Sequence, residues 1–374
     1  MKVLIVGAGL TGATLANKCA EHGMSVTVIE KRTHIAGNCY DYYDESGILM
    51  NQYGAHLFHT SSERVWEYVN RFATWIPWYH KVVGRIKDTH FPIPVNIDTV
   101  NALCGETIQD ETQMKQWLSE NTIQCEGPPT NSEEVALQRV GPVLYNLIFK
   151  DYTFKQWAKY PAELNPSVLE RIPVRTNKDG NYFSDKYQAL PEKGYTEFVK
   201  AMLQHPNITT KVNTEFTQEL RKDFDVVFYT GPIDAYYASY NYPKLEYRSI
   251  RFEKETLSVD QFQPHSVVNY PSLDEPFTRI VEYKHFLNQP VKGQTVIVKE
   301  FTTGEGDPYY PVPTKKNQET YALYQELAKA DESNRIFFIG RLANYKYFNM
   351  DAAILNALEF FDRFQEGRKA GSKA

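Results

Sequence analysis

The sequence of 374 residues predicts an α/β fold whose parallel sheet is assembled from both ends of the chain. Three observations predict it. Residues 2–6 form a short apolar run with β-branched side chains and lead directly into a glycine-rich turn. Residues 335–340 form a second such run, before a long amphipathic helix that begins at Asp351. Between them, residues 245–302 alternate between apolar and polar side chains, as antiparallel strands do.

The first element is a strand–turn–helix–strand unit. Residues 7–12 give the motif Gly-x-Gly-x-x-Gly, and a helical pattern and a second strand over residues 25–29 follow it. Its three glycines permit, in order, a tight turn, backbone approach to a pyrophosphate and close packing of helix on strand. Glu30 follows the second strand, 18 residues beyond Gly12. The unit predicts a Rossmann-like dinucleotide site in which Glu30 accepts a hydrogen bond from a ribose 2′-hydroxyl.

Two features favour FAD among the dinucleotides. Residues 30–38 continue past the acid with basic side chains and a turn at Gly37 and Asn38, where a nicotinamide-only dehydrogenase usually enters a helix. At the other end of the chain, the helix after residues 335–340 offers a second N-terminus for the isoalloxazine ring. The sequence therefore predicts a Rossmann-like FAD-binding domain built from discontinuous segments.

The middle of the chain predicts two further units, a small helical domain and an antiparallel β-sheet domain. Helical spacing covers residues 62–75, 110–120 and 132–149, with Ser132 as an N-cap and a break at Pro142. The predicted boundaries are 1–78, 190–240 and 325–374 for the FAD-binding domain, 96–162 for the helical domain, and 79–95, 163–189 and 241–324 for the sheet and substrate domain, with a mobile loop near 163–176.

Composition and charge exclude several classes of protein. The chain has 26 Tyr, 21 Phe and 5 Trp, which suits stacking on rings but also fits a Tyr-rich core and surface. The net charge is −5, and the sequence has no run of basic residues of the kind that nucleic-acid binding requires, so a nucleic-acid-binding protein is disfavoured. No apolar run has transmembrane length, and we expect no leader before the first strand. The four cysteines show no Cys-x-x-Cys spacing, so we expect reduced thiols and a cytoplasmic protein.

Several side chains are candidates for chemistry. His56 and His59 could share a metal, form a structural pair or line a flavin pocket, and no acid or cysteine cluster completes a metal site. Tyr152 and Trp157 could stack on a base or pack a helix end. Arg171, in an irregular candidate lid, could contact phosphate or remain solvated. No side chain has the sequence context of a nucleophile, so we expect the reactive atom to belong to the flavin.

Seven motifs are spread along the chain from Met1 to about Phe364. They are Val-Gly-Ala-Gly-Leu-Thr-Gly12, Tyr-Gly-Ala-His-Leu-Phe-His-Thr60, Asp-Tyr-Thr-Phe-Lys-Gln-Trp157, Arg-Ile-Pro-Val-Arg175, Asn-Tyr-Pro271 with Arg279, Pro-Tyr-Tyr-Pro311 and Gly-Arg-Leu-Ala-Asn-Tyr-Lys-Tyr347. In this order and spacing they resemble the bacterial UDP-galactopyranose mutase family.

The resemblance implies an isomerase that interconverts UDP-galactopyranose and UDP-galactofuranose without net redox change. Reduced FAD is the implied cofactor: its N5 attacks the anomeric carbon, UDP leaves and a covalent flavin–sugar adduct forms. An external reductant such as NAD(P)H, a cytoplasmic homodimer without membrane insertion, and a role in cell-wall or polysaccharide biosynthesis are also implied. The alternative is another FAD-dependent oxidoreductase on this fold, such as an amine oxidase, which would need an apolar tunnel and no arginine pair.

The resemblance also implies roles for individual residues; the residues themselves predict no metal, because no acid or cysteine cluster completes a site. Arg171 and Arg279 would bind the diphosphate and His59 would lie near the flavin ring. The substrate would further contact His80, Ile148, Tyr152, Thr153, Trp157, Tyr182, Asn269, Tyr310 and Tyr347. The cofactor would contact Gly7, Gly9, Leu10, Thr11, Gly12, Glu30, Lys31, Arg32, Gly37, Asn38, His56, Leu57, Gly340, Arg341, Tyr347, Asn349, Met350 and Asp351. His80, Ile148 and Asn349 depart from the family pattern, where Asn, an aromatic residue and Asp are common.

Overall fold

A computed structural model describes residues 1–124, 127–170 and 172–371, without the side chains of residues 370 and 371. The strands are β1 Lys2–Val6, β2 Ser25–Ile29, β3 Asp41–Tyr43, β4 Leu49–Asn51, β5 Phe58–Thr60, β6 Trp75–Pro77, β7 Val82–Ile86, β8 Thr89–Ile93, β9 Tyr187–Pro191, β10 Ile208–Lys211, β11 Val226–Tyr229, β12 Tyr247–Leu257, β13 Val267–Asn269, β14 Arg279–Glu282, β15 Thr295–Thr303, β16 Tyr310–Pro311 and β17 Ile336–Phe338. The helices are α1 Leu10–Glu21, α2 Glu63–Val69, α3 Ile97–Cys104, α4 Glu111–Asn121, α5 Ser132–Leu144, α6 Lys150–Trp157, α7 Ser167–Glu170, α8 Gly194–Leu203, α9 Gln218–Arg221, α10 Ile233–Tyr236, α11 Lys315–Asp331 and α12 Met350–Gly371.

A five-stranded parallel sheet in the order β10-β2-β1-β11-β17 confirms the predicted α/β class and its Rossmann-like unit. Leu15 of α1 and Ile354 and Phe361 of α12 are almost completely buried in the main core, which covers one face of this sheet. Because parallel strands end at one edge, the segments after β1, β2 and β11 meet there. The sheet thus joins the two ends of the chain around one crevice.

A seven-stranded sheet in the order β16-β12-β15-β14-β13-β7-β8 forms the second layer. Most of its pairs are antiparallel, as predicted, but β13 runs parallel to β7, with Val267 opposite Val82. The register places Asn269 opposite Arg279 on β14, and Arg279 opposite Glu300 on β15. Three polar side chains therefore lie in a row across three strands.

The helical layer of α3 to α6 has its own core. Val100, Met114 and Leu144 are fully buried there. The side chain of Asn131, rather than the predicted Ser132, caps α5 by accepting from the backbone N–H of Glu134. The predicted break falls at Gly141, because the residue before a proline avoids the helical region; its φ is 78° and ψ 172°.

Three further elements differ from the sequence prediction. The helix predicted over residues 62–75 ends at Val69, where the side-chain amide of Asn70 donates to the carbonyl of Trp66, and β6 follows. Strand β10 and helix α11 were not predicted; β10 is mostly exposed and has no apolar alternation. Within the described residues, no helix combines the length and apolarity that crossing a bilayer requires.

Candidate active site

A cavity of about 1660 Å³ lies where the edge of the parallel sheet, the second sheet and the helical layer meet. Its lining includes segments that follow β1, β2 and β11 and side chains of α6, β13, β14 and β15. This volume is well above the few hundred to one thousand Å³ of ordinary small-molecule sites. It is large enough for two ligands side by side.

The glycine motif forms the floor of one end of the cavity. A Cβ on Gly12 would lie 1.9 Å from the carbonyl oxygen of Gly7, so only glycine allows α1 to pack this closely on the turn. Gly9 and Gly37 also approach each other, because a Cβ on Gly37 would lie 2.9 Å from the Cα of Gly9. No side chain caps the N-terminus of α1, which leaves its first N–H groups for an anion.

The acid after β2 is held in place by the turn. The carboxylate of Glu30 is buried and accepts from the backbone N–H groups of Ala8 and Arg32, both at 3.0 Å. The Arg32 guanidinium donates to Asn38 at 2.9 Å and to Asp307 at 2.8 Å. Asp307 follows β15 in the second sheet, so this ion pair closes the wall of the cavity. The pair also keeps the pKa of Asp307 below its usual value, against the effect of burial, which raises it.

Arg341 lies in the cavity wall beside two tyrosine rings. Its guanidinium carbon is 4.8 Å from the ring centre of Tyr310 and 4.5 Å from that of Tyr347, and these rings stack at 5.7 Å. The Nε and Nη2 atoms of Arg341 are buried without a hydrogen-bond partner. Unpaired buried donors on a cation are costly, so they fit an anionic ligand.

The row across the second sheet forms another wall. The Oδ1 atom of Asn269 is buried and unpaired. The Nε atom of Arg279 lies 3.2 Å from Oε2 of Glu300 as an ion pair, without hydrogen-bond geometry. Burial raises the pKa of Glu300, and Arg279 opposes that effect. Burial alone would lower the pKa of Arg279, but Tyr152 and Glu300 raise it well above its usual value, so the guanidinium stays charged.

A second aromatic group lies opposite, around α6. Tyr152, Thr153 and Trp157 line the cavity, and the Trp157 ring packs edge-on to Tyr310 at 6.2 Å. Burial raises the pKa of Tyr152, while Arg279 acts in the opposite direction. These phenol and indole groups are therefore neutral hydrogen-bond donors at neutral pH.

Three histidines line the cavity in different environments. Burial lowers the pKa of His56 to about 4 and that of His80 to about 3, so both are neutral at pH 7. His56 Nδ1 lies 2.7 Å from the carbonyl oxygen of Gly54, and Nδ1 of His80 is buried without a partner. His59 Nδ1 lies 2.8 Å from Oδ2 of Asp185. In the described residues, no three His, Cys, Asp or Glu side chains come together as a metal site requires.

Most residues implied by the resemblance share this cavity. Those that line it are Gly7, Gly9, Leu10, Thr11, Gly12, Glu30, Lys31, Arg32, Gly37, Asn38, His56, Leu57, His59, His80, Ile148, Tyr152, Thr153, Trp157, Tyr182, Asn269, Arg279, Tyr310, Arg341, Tyr347, Asn349 and Met350. Gly340 and Asp351 are not among its lining residues, although a Cβ on Gly340 would touch Thr11. Arg171 lies outside the described residues.

Sequence reasoning missed Glu300, Asp185 and Lys155, whose ammonium donates to four backbone carbonyls in the loop between β13 and β14. Glu300 and Arg279 are 21 positions apart in the chain, and only the strand register brings them together. Asp185 reaches His59 across the β5–β9 pair. All three depend on contacts between segments that are far apart in the chain, and a local sequence pattern carries no information about such contacts.

The fold and the cavity define a Rossmann-like α/β enzyme with a dinucleotide-type site beside a second ligand site. A Rossmann-like NAD(P)-binding domain model matches residues 5–72, and a UDP-galactopyranose mutase model matches residues 147–347. A probable UDP-galactopyranose mutase of Klebsiella pneumoniae is 40% identical over 366 residues, 97% of this chain and 94% of that protein. The chain belongs to the UDP-galactopyranose mutase family and is an isomerase.

One further sequence relative and one solved structure are similar to this chain. A dTDP-fucopyranose mutase of Escherichia coli is 39% identical over 368 residues, 96% of this chain and 97% of that protein. A crystal structure of reduced UDP-galactopyranose mutase superposes with a TM-score of 0.78 at 17% identity, covering 98% of this chain and 95% of the other. That structure supports the fold. The family and the Rossmann-like domain imply a cofactor of the flavin type.

Proposed function

We propose that the protein interconverts UDP-galactopyranose and UDP-galactofuranose. The observation that carries this proposal is the row of Asn269, Arg279 and Glu300 facing the cavity beside Arg341. Arg279 supplies a permanently charged donor for the diphosphate, and Asn269 supplies an unpaired buried amide oxygen that can accept from a hydroxyl or N–H group. Together with the aromatic side chains of α6, they match the phosphate, sugar and base of a nucleotide sugar.

We propose FAD as the cofactor, held by the glycine turn, Glu30, Arg32 and Arg341. The close Gly9–Gly37 approach leaves backbone rather than side chains facing the cavity, and Arg341 has two unpaired donors for an anionic group. When reduced and bound, FAD would supply N5 as the nucleophile toward the anomeric carbon, so that a flavin–sugar bond replaces the bond to UDP.

The chain itself would stabilise the charge that develops as UDP leaves. The ion pair with Glu300 holds the Arg279 guanidinium at the cavity wall before the ligand binds, which reduces the reorganisation that binding a diphosphate oxygen would need. The neutral phenols of Tyr152 and Tyr310 would donate to the same group. His59, oriented through Nδ1 by Asp185, would present its other ring nitrogen for proton exchange with a sugar hydroxyl. We propose that Arg171 adds a second guanidinium to the diphosphate.

The decisive experiment compares the purified protein with its flavin oxidised and reduced. Dithionite-treated protein is expected to convert UDP-galactofuranose to UDP-galactopyranose, and chromatography of the two nucleotide sugars measures the conversion. The same sample kept oxidised is expected to be inactive, because only reduced flavin has a nucleophilic N5. Strong turnover with oxidised flavin would contradict the proposed mechanism.

A second candidate substrate is dTDP-fucopyranose. The relative named for that activity is 39% identical to this chain, one point below the Klebsiella pneumoniae relative. The two substrates differ in the base, the ribose and the sugar C6 group. Parallel assays with both nucleotide sugars at equal concentration decide between them, and the substrate with the larger kcat/KM is the one for which the site is built.

Four expectations stay predictions with their own tests. We propose NAD(P)H as external reductant, a homodimer, a cytoplasmic location and supply of galactofuranose for a cell-wall or other polysaccharide, on the basis of the family resemblance. Flavin bleaching by NAD(P)H without oxygen tests the first, sedimentation velocity the second and cell fractionation the third. Loss of polymer galactofuranose on gene deletion tests the fourth. The domain boundaries likewise await limited proteolysis.

A further inference from the structure

The ammonium group of Lys155 lies at the centre of the loop between β13 and β14. Its Nζ atom donates to the carbonyl oxygens of Ser272 at 2.7 Å, Phe277 at 2.9 Å and Glu275 at 3.1 Å, and also to that of Tyr270. An ammonium has three N–H groups, so these four oxygens share them. Hydrogen bonds from a charged donor are about twice as strong as neutral ones. One side chain therefore fixes the path of the whole loop.

The two ends of this loop carry proposed ligand-binding side chains. Asn269 is the last residue of β13 and Arg279 is the first of β14. Between them, the backbone N–H of Tyr270 donates to the carbonyl of Thr278 at 2.9 Å. The positions of the amide and the guanidinium thus depend on how the loop is held.

Lys155 also belongs to the helix on the other side of the cavity. Tyr152, which lines the cavity, is one turn before it on α6. The backbone of this helix end is tied to the second sheet, because Thr302 Oγ1 donates to the carbonyl of Lys155 and Arg248 Nε to that of Gln156 at 3.2 Å. Lys155 itself does not line the cavity.

We propose that Lys155 is a positioning residue that locks the β13–β14 loop to α6, so that Arg279 and Tyr152 meet the same nucleotide sugar. This inference rests on the proposed function. A compact ammonium suits a ring of carbonyl oxygens, whereas the planar guanidinium of arginine does not. The acidic groups that face it are Asp151 on α6 and Asp274 and Glu275 on the loop.

The test uses the FAD-loaded full chain and the variant Lys155→Met, with Lys150→Met as the matched control. Lys150 is on the same helix, with its ammonium 5.9 Å above the Tyr160 ring. Calorimetry is expected to show UDP binding weakened about tenfold or more in Lys155→Met and unchanged in Lys150→Met, with the same flavin content in both. Hydrogen exchange of residues 270–279 is expected to accelerate only in Lys155→Met. Lys155→Arg is expected to restore UDP affinity only in part.

The wild-type protein provides an independent measurement. Burial lowers the pKa of Lys155 to about 8, so the ammonium loses its charge as pH rises through that value. UDP affinity should therefore decline between pH 7 and pH 9 in the wild type and change much less in Lys155→Met. This comparison needs no enzymatic turnover.

Each outcome decides a different point. A wild-type protein that does not bind UDP would remove the proposed function. If the wild type binds UDP and Lys155→Met binds it with equal affinity, the positioning role is overturned. This holds even if hydrogen exchange in the loop accelerates, since Lys155 would then serve stability alone. If Lys155→Met does not fold, Lys155→Arg takes its place, and a wild-type UDP affinity in Lys155→Arg would overturn the positioning role, because a guanidinium cannot reproduce the ring of carbonyl contacts.

Discussion

At the scale of single residues, Arg279 is assigned two electrostatic interactions. It neutralises the buried Glu300 within the protein and is proposed to bind the ligand's diphosphate. Arg279→Ala should lower kcat/KM by about 10²–10³-fold, because an aligned charged donor is lost from the transition state. Steady-state assays with reduced flavin measure the loss, and the visible spectrum checks that flavin remains bound.

A double variant separates the two roles of Arg279. Arg279→Ala leaves Glu300 as an unpaired buried acid, so part of its effect is on folding. Adding Glu300→Gln should restore thermal stability but not activity. Recovery of activity in the double variant, or near-wild-type kinetics in Arg279→Ala alone, would remove Arg279 from the proposed diphosphate site.

The pair of His59 and Asp185 makes a separate prediction. The carboxylate of Asp185 fixes the proton of His59 on Nδ1, and Asp185→Asn removes this preference while keeping the shape. We expect kcat to fall about tenfold or more with little change in KM. Ser61→Ala is the matched control, because Ser61 donates to Oδ1 of Asp185 at 3.0 Å, whereas His59 Nδ1 lies against Oδ2. Equal losses in both variants would show that the local hydrogen-bond network, rather than the histidine tautomer, matters.

At the scale of elements, the β1–α1 turn contains one glycine that we expect to matter for cofactor binding and another that we expect to matter for folding. A Cβ on Gly9 would find its nearest atom, the Cα of Gly37, at 3.7 Å, an ordinary contact. A Cβ on Gly12 would lie 1.9 Å from the Gly7 carbonyl oxygen. Gly9→Ala should therefore keep its stability but bind FAD at least about tenfold more weakly, because the methyl group stands where backbone must approach the pyrophosphate.

Gly12→Ala is the contrasting variant. It forces α1 away from the turn and should lower the free energy of unfolding by about 2–4 kcal/mol. Urea unfolding of the flavin-free proteins, together with FAD titration, distinguishes the two glycines. Equal destabilisation by both substitutions would contradict the assignment of Gly9 to the cofactor.

The elements also show what local patterns can predict. The run at β1 is apolar and β-branched because the strand lies inside the sheet with its central residues buried, and the run at β17 is apolar, so their sequence identified both. Strand β10 was missed since three of its four residues are exposed at the sheet edge. The helix after Ser62 was predicted too long because Phe72 continues the helical spacing of Val65 and Val69. In the structure, Trp75 pairs with Pro191 in a strand.

At the scale of the whole molecule, two histidines with lowered pKa values, the buried His80 and the partly buried His56, make stability depend on pH. The pKa values of His56 and His80 lie near 4 and 3 in the folded chain because burial disfavours their charged forms, against 6.5 when unfolded. Below pH 6.5 the unfolded chain therefore binds protons that the folded chain does not. Each histidine should lower the free energy of unfolding by ~1–2 kcal/mol between pH 7 and pH 5, and by more as pH falls toward the folded pKa values.

Urea unfolding at pH 7 and pH 5 measures this loss. It should be smaller in His80→Asn and unchanged in His90→Asn, because His90 is exposed. His285 acts in the opposite direction: its hydrogen bond with Glu282 raises its pKa, so its contribution is fully present below pH 6.5 and is lost at higher pH. An equal pH effect in the wild type, His80→Asn and His90→Asn would show that His80 does not contribute to it.

The sequence alone determined the Rossmann-like unit, the family and a set of motif residues that make up about a third of the cavity lining, because glycine spacing and the order of motifs are read along the chain. Only the tertiary structure decided that Glu300 pairs with Arg279, that Asp185 orients His59 and that Lys155 holds the carbonyls of a loop more than 110 residues away. Those contacts depend on strand register and on the packing of distant segments. Neither follows from the order of residues along one segment.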